Sequence, residues 1–191
     1  LVFPPYNALQ LQDILRGRAE IAFKNNVLEN GVIEKCAAYA AREHGDARRA
    51  LELLRVAGEL AERGDQNKIK IRDIDEAEEK IEKDRVLDIV KTQPKQSQIA
   101  LYSILHICNN GNQVFTGDVY EQYKDVCRII GFKPLTQRRM GDIIAELDML
   151  GIINAKVISK GRYGRTRQIS LAIPQSTIPK VQSILKEGLD L

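Results

Sequence analysis

Five cations crowd one short stretch near the C-terminal end of this chain. Lys156, Lys160, Arg162, Arg165 and Arg167 lie within residues 156–167, and no Asp or Glu occurs between Asp148 and Glu187. Like charges this close repel one another, and a polyanion such as a nucleic-acid duplex would neutralise them. Gly161 and Gly164 punctuate the run Ser159-Lys160-Gly161-Arg162-Tyr163-Gly164-Arg165-Thr166 and allow close backbone approach to a ligand. An arginine at a narrow tip fits a minor groove, and Tyr163 offers a face to sugar or phosphate. The plainer alternative is a solvated basic turn, since a basic patch is only an electrostatic footprint.

A second constellation is Thr136-Gln137-Arg138-Arg139. The apolar spacing that follows (Met140, Ile143, Ile144, Leu147, Leu150) makes this the start of a helix capped by Thr136. A helix N-terminus prefers acids, so two arginines in the first turn oppose the dipole. Such residues are suited to base edges and phosphates in a major groove, with Gln reading adenine and Arg guanine. The competing reading pairs Arg138 and Arg139 with Asp142 and Glu146 on the same helix.

A third pattern is Gly45-Asp46-Ala47-Arg48-Arg49-Ala50-Leu51. Asp46 caps a helix on which Arg48, Glu52, Arg55 and Glu59 share one polar face. Taken alone, that face reads as an exposed ion-pair ladder of little energetic weight. Arg48 and Arg49 lie about 100° apart around the helix and cannot do the same job.

The elements that must position these residues follow from periodicity. In the first half, Asn7-Ala8-Leu9-Gln10 is a capping box opening a helix with Leu11, Ile14, Leu15, Ala19, Ala22 and Phe23 in register. A second helix is predicted from about Gly31 to Glu43, and a third from Asp46 to about Arg63. Asp73-Ile74-Asp75-Glu76 is a further capping box, opening a fourth helix to about Lys91 that Pro94 ends. Helices follow over about 96–108, after Thr116 to Gly131, and from Thr136 to Gly151, with a turn at Asn109-Asn110-Gly111-Asn112. The period then falls to two. Ile153, Ala155 and Val157 form one strand, and Ile169, Leu171 and Ile173 another, with the basic tip between them. A last helix covers about 178–189. Three helices followed by a β-hairpin is the order of a winged helix, a helix-turn-helix variant.

The chain is thus predicted to be mainly α. A helical bundle fills residues 1–93 and a winged-helix domain residues 94–191, the long fourth helix connecting them. Its 191 residues suit two small domains. The net charge of +3 conceals a division: residues 1–91 carry 16 basic and 18 acidic groups, and residues 92–191 carry 13 and 8. No run of 18 apolar residues predicts a membrane span. Cys36, Cys108 and Cys127 sit far apart among apolar neighbours, and with His44 and His106 they make no zinc spacing and no disulfide frame. Buried free thiols in an intracellular protein are expected. The start Leu1-Val2-Phe3-Pro4-Pro5-Tyr6 lacks a Met and a signal-peptide charge pattern, and reads as a piece of a longer chain. No nucleophile–base pair or metal cluster supports an enzyme.

Several of these motifs together resemble the archaeal origin-recognition initiators. That family is related to the largest eukaryotic origin recognition subunit and to the helicase-loading cell-division-cycle factor. The matching residues are Phe3-Pro4-Pro5-Tyr6, the run Ala40-Ala41-Arg42-Glu43-His44-Gly45-Asp46-Ala47-Arg48-Arg49-Ala50-Leu51, Pro134-Leu135-Thr136-Gln137-Arg138-Arg139, and the basic run from Ser159 to Thr166. The resemblance implies an AAA+ ATPase core, then a helical lid, then a winged helix, of which this chain carries the last two. It has no Gly-rich phosphate loop and no Walker B strand, so it is not expected to hydrolyse ATP. The resemblance further implies that Arg48, as the sensor-2 arginine, reaches the ATP phosphates. Tyr6 would contact the adenine side, and Arg18 would be a second nucleotide contact. Both have plainer readings, Tyr6 as a staple on the first helix and Arg18 as a surface cation. ATP or ADP, with magnesium, would belong to the full-length parent and bind this piece weakly. Thr136, Gln137, Arg138 and Arg139 would enter a major groove, and Lys160, Gly161, Arg162, Tyr163, Gly164 and Arg165 the neighbouring minor groove. The implied partners are duplex origin DNA, other initiator protomers and the replicative helicase, in a cytoplasmic, nucleoid-associated setting. The rival functions are a winged-helix transcription regulator with a helical effector or dimerisation domain, and a protein–protein scaffold. The regulator needs a ligand pocket or an apolar dimer seam, and the scaffold a neutral or acidic wing.

Overall fold

A computed structural model of the chain describes residues 4–108, 114–159 and 165–191. The predicted turn at 109–112 and the tip residues Lys160, Gly161, Arg162, Tyr163 and Gly164 lie outside these, as does Phe3.

Helix α1 (Ala8–Ala22) begins where the capping box places it. The Gln10 N–H donates to Asn7 Oδ1 at 2.9 Å, and the Asn7 N–H donates to Gln10 Oε1 at 3.1 Å. α2 (Val32–Glu43) and α3 (Ala47–Arg63) follow. Asp46 caps α3 by accepting the Arg48 N–H at 2.8 Å. Leu11, Leu15, Cys36, Ala37, Ala40, Leu53, Leu54 and Ala57 form the core of this unit, with Ile74 and Ala77 of α4 (Ile71–Thr92).

The start of α4 departs from expectation. The predicted capping box at Asp73 is not the helix entry, because the helix begins earlier, at Ile71. Asp73 instead sits inside the first turn and accepts the Lys70 N–H at 2.7 Å. That satisfies one of the orphan donors of the helix start from within. Asp75 faces α2 and binds Lys35 Nζ and Tyr39 OH, each at 2.7 Å. The Lys35 ammonium, then the Tyr39 hydroxyl, hold its carboxyl below the usual range.

The compact units divide at Lys83/Asp84, inside α4 and upstream of the expected break at Pro94. The reason is packing. Val86, Leu87 and Val90 join the core of the second unit. The buried Gln98 amide donates to the Val90 and Lys91 carbonyls at 3.4 Å, closing the end of the helix. The charge division survives the shift: residues 1–83 carry 14 basic and 16 acidic groups, and residues 84–191 carry 15 and 10.

In the second unit, α5 (Lys95–Cys108), α6 (Thr116–Ile129) and α7 (Gln137–Met149) pack through Ile99, Ile104, Val119, Tyr123, Met140 and Ile144. Strands β2 (Ile153–Ser159) and β3 (Arg165–Leu171) pair antiparallel from Ile153↔Leu171 to Ser159↔Arg165. A two-residue strand, β1 (Val114–Phe115), pairs with β3, so the sheet has three strands in the order β1-β3-β2. This strand went unforeseen because two residues show no periodicity. β3 ends at Leu171, and Ile173 packs in the core beyond it. A 3₁₀ turn, Gln175–Thr177, leads into α8 (Ile178–Leu189). No helix among the described residues is long and apolar enough to cross a membrane.

Cys36 and Cys127 are buried, whereas Cys108 is only partly so. Burial pushes the Cys36 thiol up to about 12 and raises the other two. Neutral thiols are poor nucleophiles. At pH 8 a thiol-reactive dye is therefore expected to label no more than one cysteine of the native protein, at Cys108, and all three after denaturation. Fast labelling of two or more would contradict the packing.

Candidate nucleic-acid interface

The predicted recognition residues stand at the start of α7. Thr136 is its N-cap, accepting the Arg139 N–H at 3.4 Å. Thr136, Gln137, Arg138 and Arg139 are all exposed. The ion-pair alternative holds for one arginine and fails for the other. Arg139 bonds to Asp142 at 3.4 Å, while the Arg138 side chain makes no hydrogen bond or ion pair among the described residues. Arg138 is therefore a cation at the wrong end of the helix dipole with no partner among the described residues to offset it.

The turn before this helix is held from two other helices. Tyr123 of α6 is fully buried, and its hydroxyl accepts the Leu135 N–H at 3.0 Å and donates to Gln96 Oε1. Tyr120 donates to the Leu135 carbonyl at 3.0 Å, and Gln96 Nε2 donates to the Lys133 carbonyl at 3.2 Å. Both polar groups of Leu135 are thus satisfied one residue before the cap. Periodicity assigned Tyr123 to the core and missed this role. The available signal was the hydroxyl itself, since a buried tyrosine oxygen needs a partner.

On the wing, Lys156 and Arg165 are exposed. Arg167 differs from them: it is partly buried, and its guanidinium donates to the Gly141 carbonyl in α7. The tip cations Lys160 and Arg162 lie outside the described residues.

In the first unit the structure separates Arg48 from Arg49. Arg49 reaches Glu43 at 3.2 Å and Glu82 at 2.9 Å. Arg48 is exposed, and its side chain has no hydrogen bond or ion pair among the described residues. Arg55 and Glu59 form one rung of the expected ladder. Tyr6 is drawn to the start of this helix, its N–H donating to the Gly45 carbonyl at 3.1 Å, with the ring about half exposed. Arg18 lies elsewhere. It lines an open groove of about 870 Å³ with Phe23, Leu51 and Arg55, to which neither Tyr6 nor Arg48 contributes. Among the described residues no cluster of His, Cys, Asp and Glu is arranged to hold a metal ion.

Two family models match the chain. Residues 12–79 match the Cdc6 AAA+ ATPase-type lid domain, and residues 88–181 the CDC6 C-terminal winged helix domain. An ORC1-type DNA replication protein of Pyrococcus furiosus is 55% identical over 187 residues, covering 97% of this chain and 44% of the relative. A second, from Archaeoglobus fulgidus, is 53% identical over 180 residues, covering 94% of this chain and 44% of the relative. The chain therefore spans less than half the length of these relatives. Among solved structures, the Aeropyrum pernix ORC1 protein in complex with DNA superimposes with a TM-score of 0.88 at 48% identity, over 98% of this chain and 48% of that one. With the lid and winged-helix models both matched in order, and relatives above 50% identity across nearly its whole length, the chain belongs to the ORC1/Cdc6 family of replication proteins.

Proposed function

We propose that this chain binds duplex DNA at replication origins, as the DNA-binding portion of an ATP-regulated initiator. The observation that carries this reading is Arg138, exposed in the first turn of α7 and without a side-chain partner among the described residues. An unpaired cation there opposes the helix dipole, and a DNA phosphate or base edge supplies the missing acceptor. Thr136, Gln137 and Arg139 stand beside it for the major groove. Lys156 and Arg165 continue the positive surface along the wing toward Lys160, Gly161, Arg162, Tyr163 and Gly164, which we assign to the minor groove. The A. pernix relative's complex with DNA supports the same partner.

Nucleotide regulation rests on the lid. Arg48 and Tyr6 stand at the same helix start with exposed side chains, a guanidinium for phosphate and an aromatic face for adenine. Both fit an ATP bound by the ATPase core of a full-length protein, where the phosphate cradle and magnesium site belong. Arg18, on its separate groove, would contact the nucleotide from another side. We assign no catalytic step to these residues. Other initiator protomers and the replicative helicase are the further partners of this reading.

The test is binding of the chain to origin DNA across salt concentrations, with footprinting against an unrelated duplex. Neutralising about five phosphates gives a slope of log K against log salt of roughly −4 to −5. Arg162→Ala or Arg165→Ala should weaken binding. Arg138→Ala should change sequence preference more than Lys160→Ala does. A flat salt response, or equal protection of both duplexes, would overturn the proposal.

A further inference from the structure

We infer that Arg167 is a positioning residue that locks the recognition helix to the wing, and is not one of the wing's DNA-facing cations. The inference rests on the DNA-binding reading of this domain. In sequence Arg167 is one of five indistinguishable cations. In the structure it touches both helices of the helix-turn-helix from the middle of β3. Its backbone N–H donates to Thr116 Oγ1 at 3.3 Å, at the first residue of α6. Its guanidinium donates to the carbonyl of Gly141, in the second turn of α7. A helix carbonyl keeps a second lone pair after its own helical bond, so it accepts this donor without breaking the helix. A Cβ added at Gly141 would lie 3.6 Å from Arg167 Nη1, so the guanidinium sits directly against the glycine. Arg165 projects from the same face of the strand two residues nearer the tip. It is exposed and makes no side-chain hydrogen bond or ion pair among the described residues.

Gln137, Arg138 and the wing tip can engage adjacent grooves of one duplex only if helix and strand keep a set angle. β3 carries the tip and α7 carries the reading residues. Arg167 joins them directly, α6 shares the joint through Thr116, and Asp148 of α7 ties the neighbouring strand by accepting the Ala155 N–H at 2.9 Å. A planar guanidinium holds such a geometry, and the compact ammonium of lysine does not reproduce it.

The experiment titrates duplex binding against salt for wild type, Arg167→Met, Arg167→Lys and Arg165→Ala, well below each variant's melting temperature. There, a residue with a merely structural role leaves affinity unchanged. A positioning role predicts that Arg167→Met binds about tenfold more weakly, the cost of one charge-assisted contact, with the salt slope of wild type. Arg167→Lys keeps the charge and should still lose affinity at unchanged slope. Arg165→Ala should flatten the slope by about 0.9, the signature of one phosphate contact. If Arg167→Met flattens the slope by that amount, or Arg167→Lys binds as wild type, Arg167 is a phosphate cation and the inference falls. Wild-type affinity in Arg167→Met also overturns it. Should the Met variant fail to fold, the Lys variant decides. Failure of the wild type itself to bind duplex overturns the DNA reading and takes this inference with it.

Discussion

Gly45→Ala is expected to destabilise the N-terminal helical unit by about 2–4 kcal/mol, combining left-handed backbone strain with overpacking. Gly45 follows the end of α2 with φ +65°, a conformation costly for any residue with a Cβ. Its N–H closes the helix by donating to the Ala40 carbonyl at 2.8 Å. An added Cβ would lie 2.5 Å from the Tyr6 carbonyl oxygen and 2.9 Å from Pro5 Cβ. The first of these is backbone and cannot turn aside. The strand of chain carrying Tyr6 would have to move, and with it one proposed nucleotide contact. Calorimetry of the whole chain should show the transition of this unit lowered by roughly 10 °C or more. Gly17→Ala is the control: its Cβ meets nothing within 4 Å, and helix propensity predicts a gain of about 0.5–1 kcal/mol. If both variants melt alike, the close approach of Tyr6 to Gly45 is wrong.

Tyr123→Phe is the second large expected effect. The ring stays packed, so no cavity forms. The substitution leaves the Leu135 N–H without its acceptor and Gln96 Oε1 without its donor. An unsatisfied buried polar group costs about 1–3 kcal/mol. Burial pushes the Tyr123 phenol up to about 12, so at neutral pH the hydroxyl is intact and can play both parts. The loss falls on the turn that ends at the Thr136 cap. We therefore expect faster amide exchange at Leu135 and weaker duplex binding, on top of a melting temperature lower by roughly 5–10 °C. Unchanged exchange at Leu135 would show that the turn is held by other means. Tyr120→Phe, which removes a single bond to the Leu135 carbonyl, should have the smaller effect.

These predictions depend on contacts that differ in how visible they were beforehand. The capping box at Asn7 and Gln10, the Asp46 and Thr136 caps, and the apolar stripes of α1 to α3 and α5 to α7 were legible from spacing. Each is a relation between residues three or four apart, which periodicity reports directly. So was the alternation of the wing strands. The capping box read at Asp73 erred because the same residue types serve at the cap and inside the first turn, and spacing does not separate the two. Strand β1 escaped because two residues make no pattern, and it exists only through its pairing with β3.

The sequence by itself determined the helical order, the winged-helix pattern and the basic character of the second unit, which is +5 whether it is taken from Asp84 or from Thr92. Only the tertiary structure decided which member of each basic pair is free. Arg49 is taken by Glu82, 33 residues away, which leaves Arg48 exposed. Arg167 is taken by Gly141, 26 residues away, which leaves Arg165 exposed. On α7, Arg139 turns toward Asp142 and Arg138 does not. The side-chain types are identical within each pair. What distinguishes them is the direction each points about its helix or along its strand, and what a distant element has placed there to meet it.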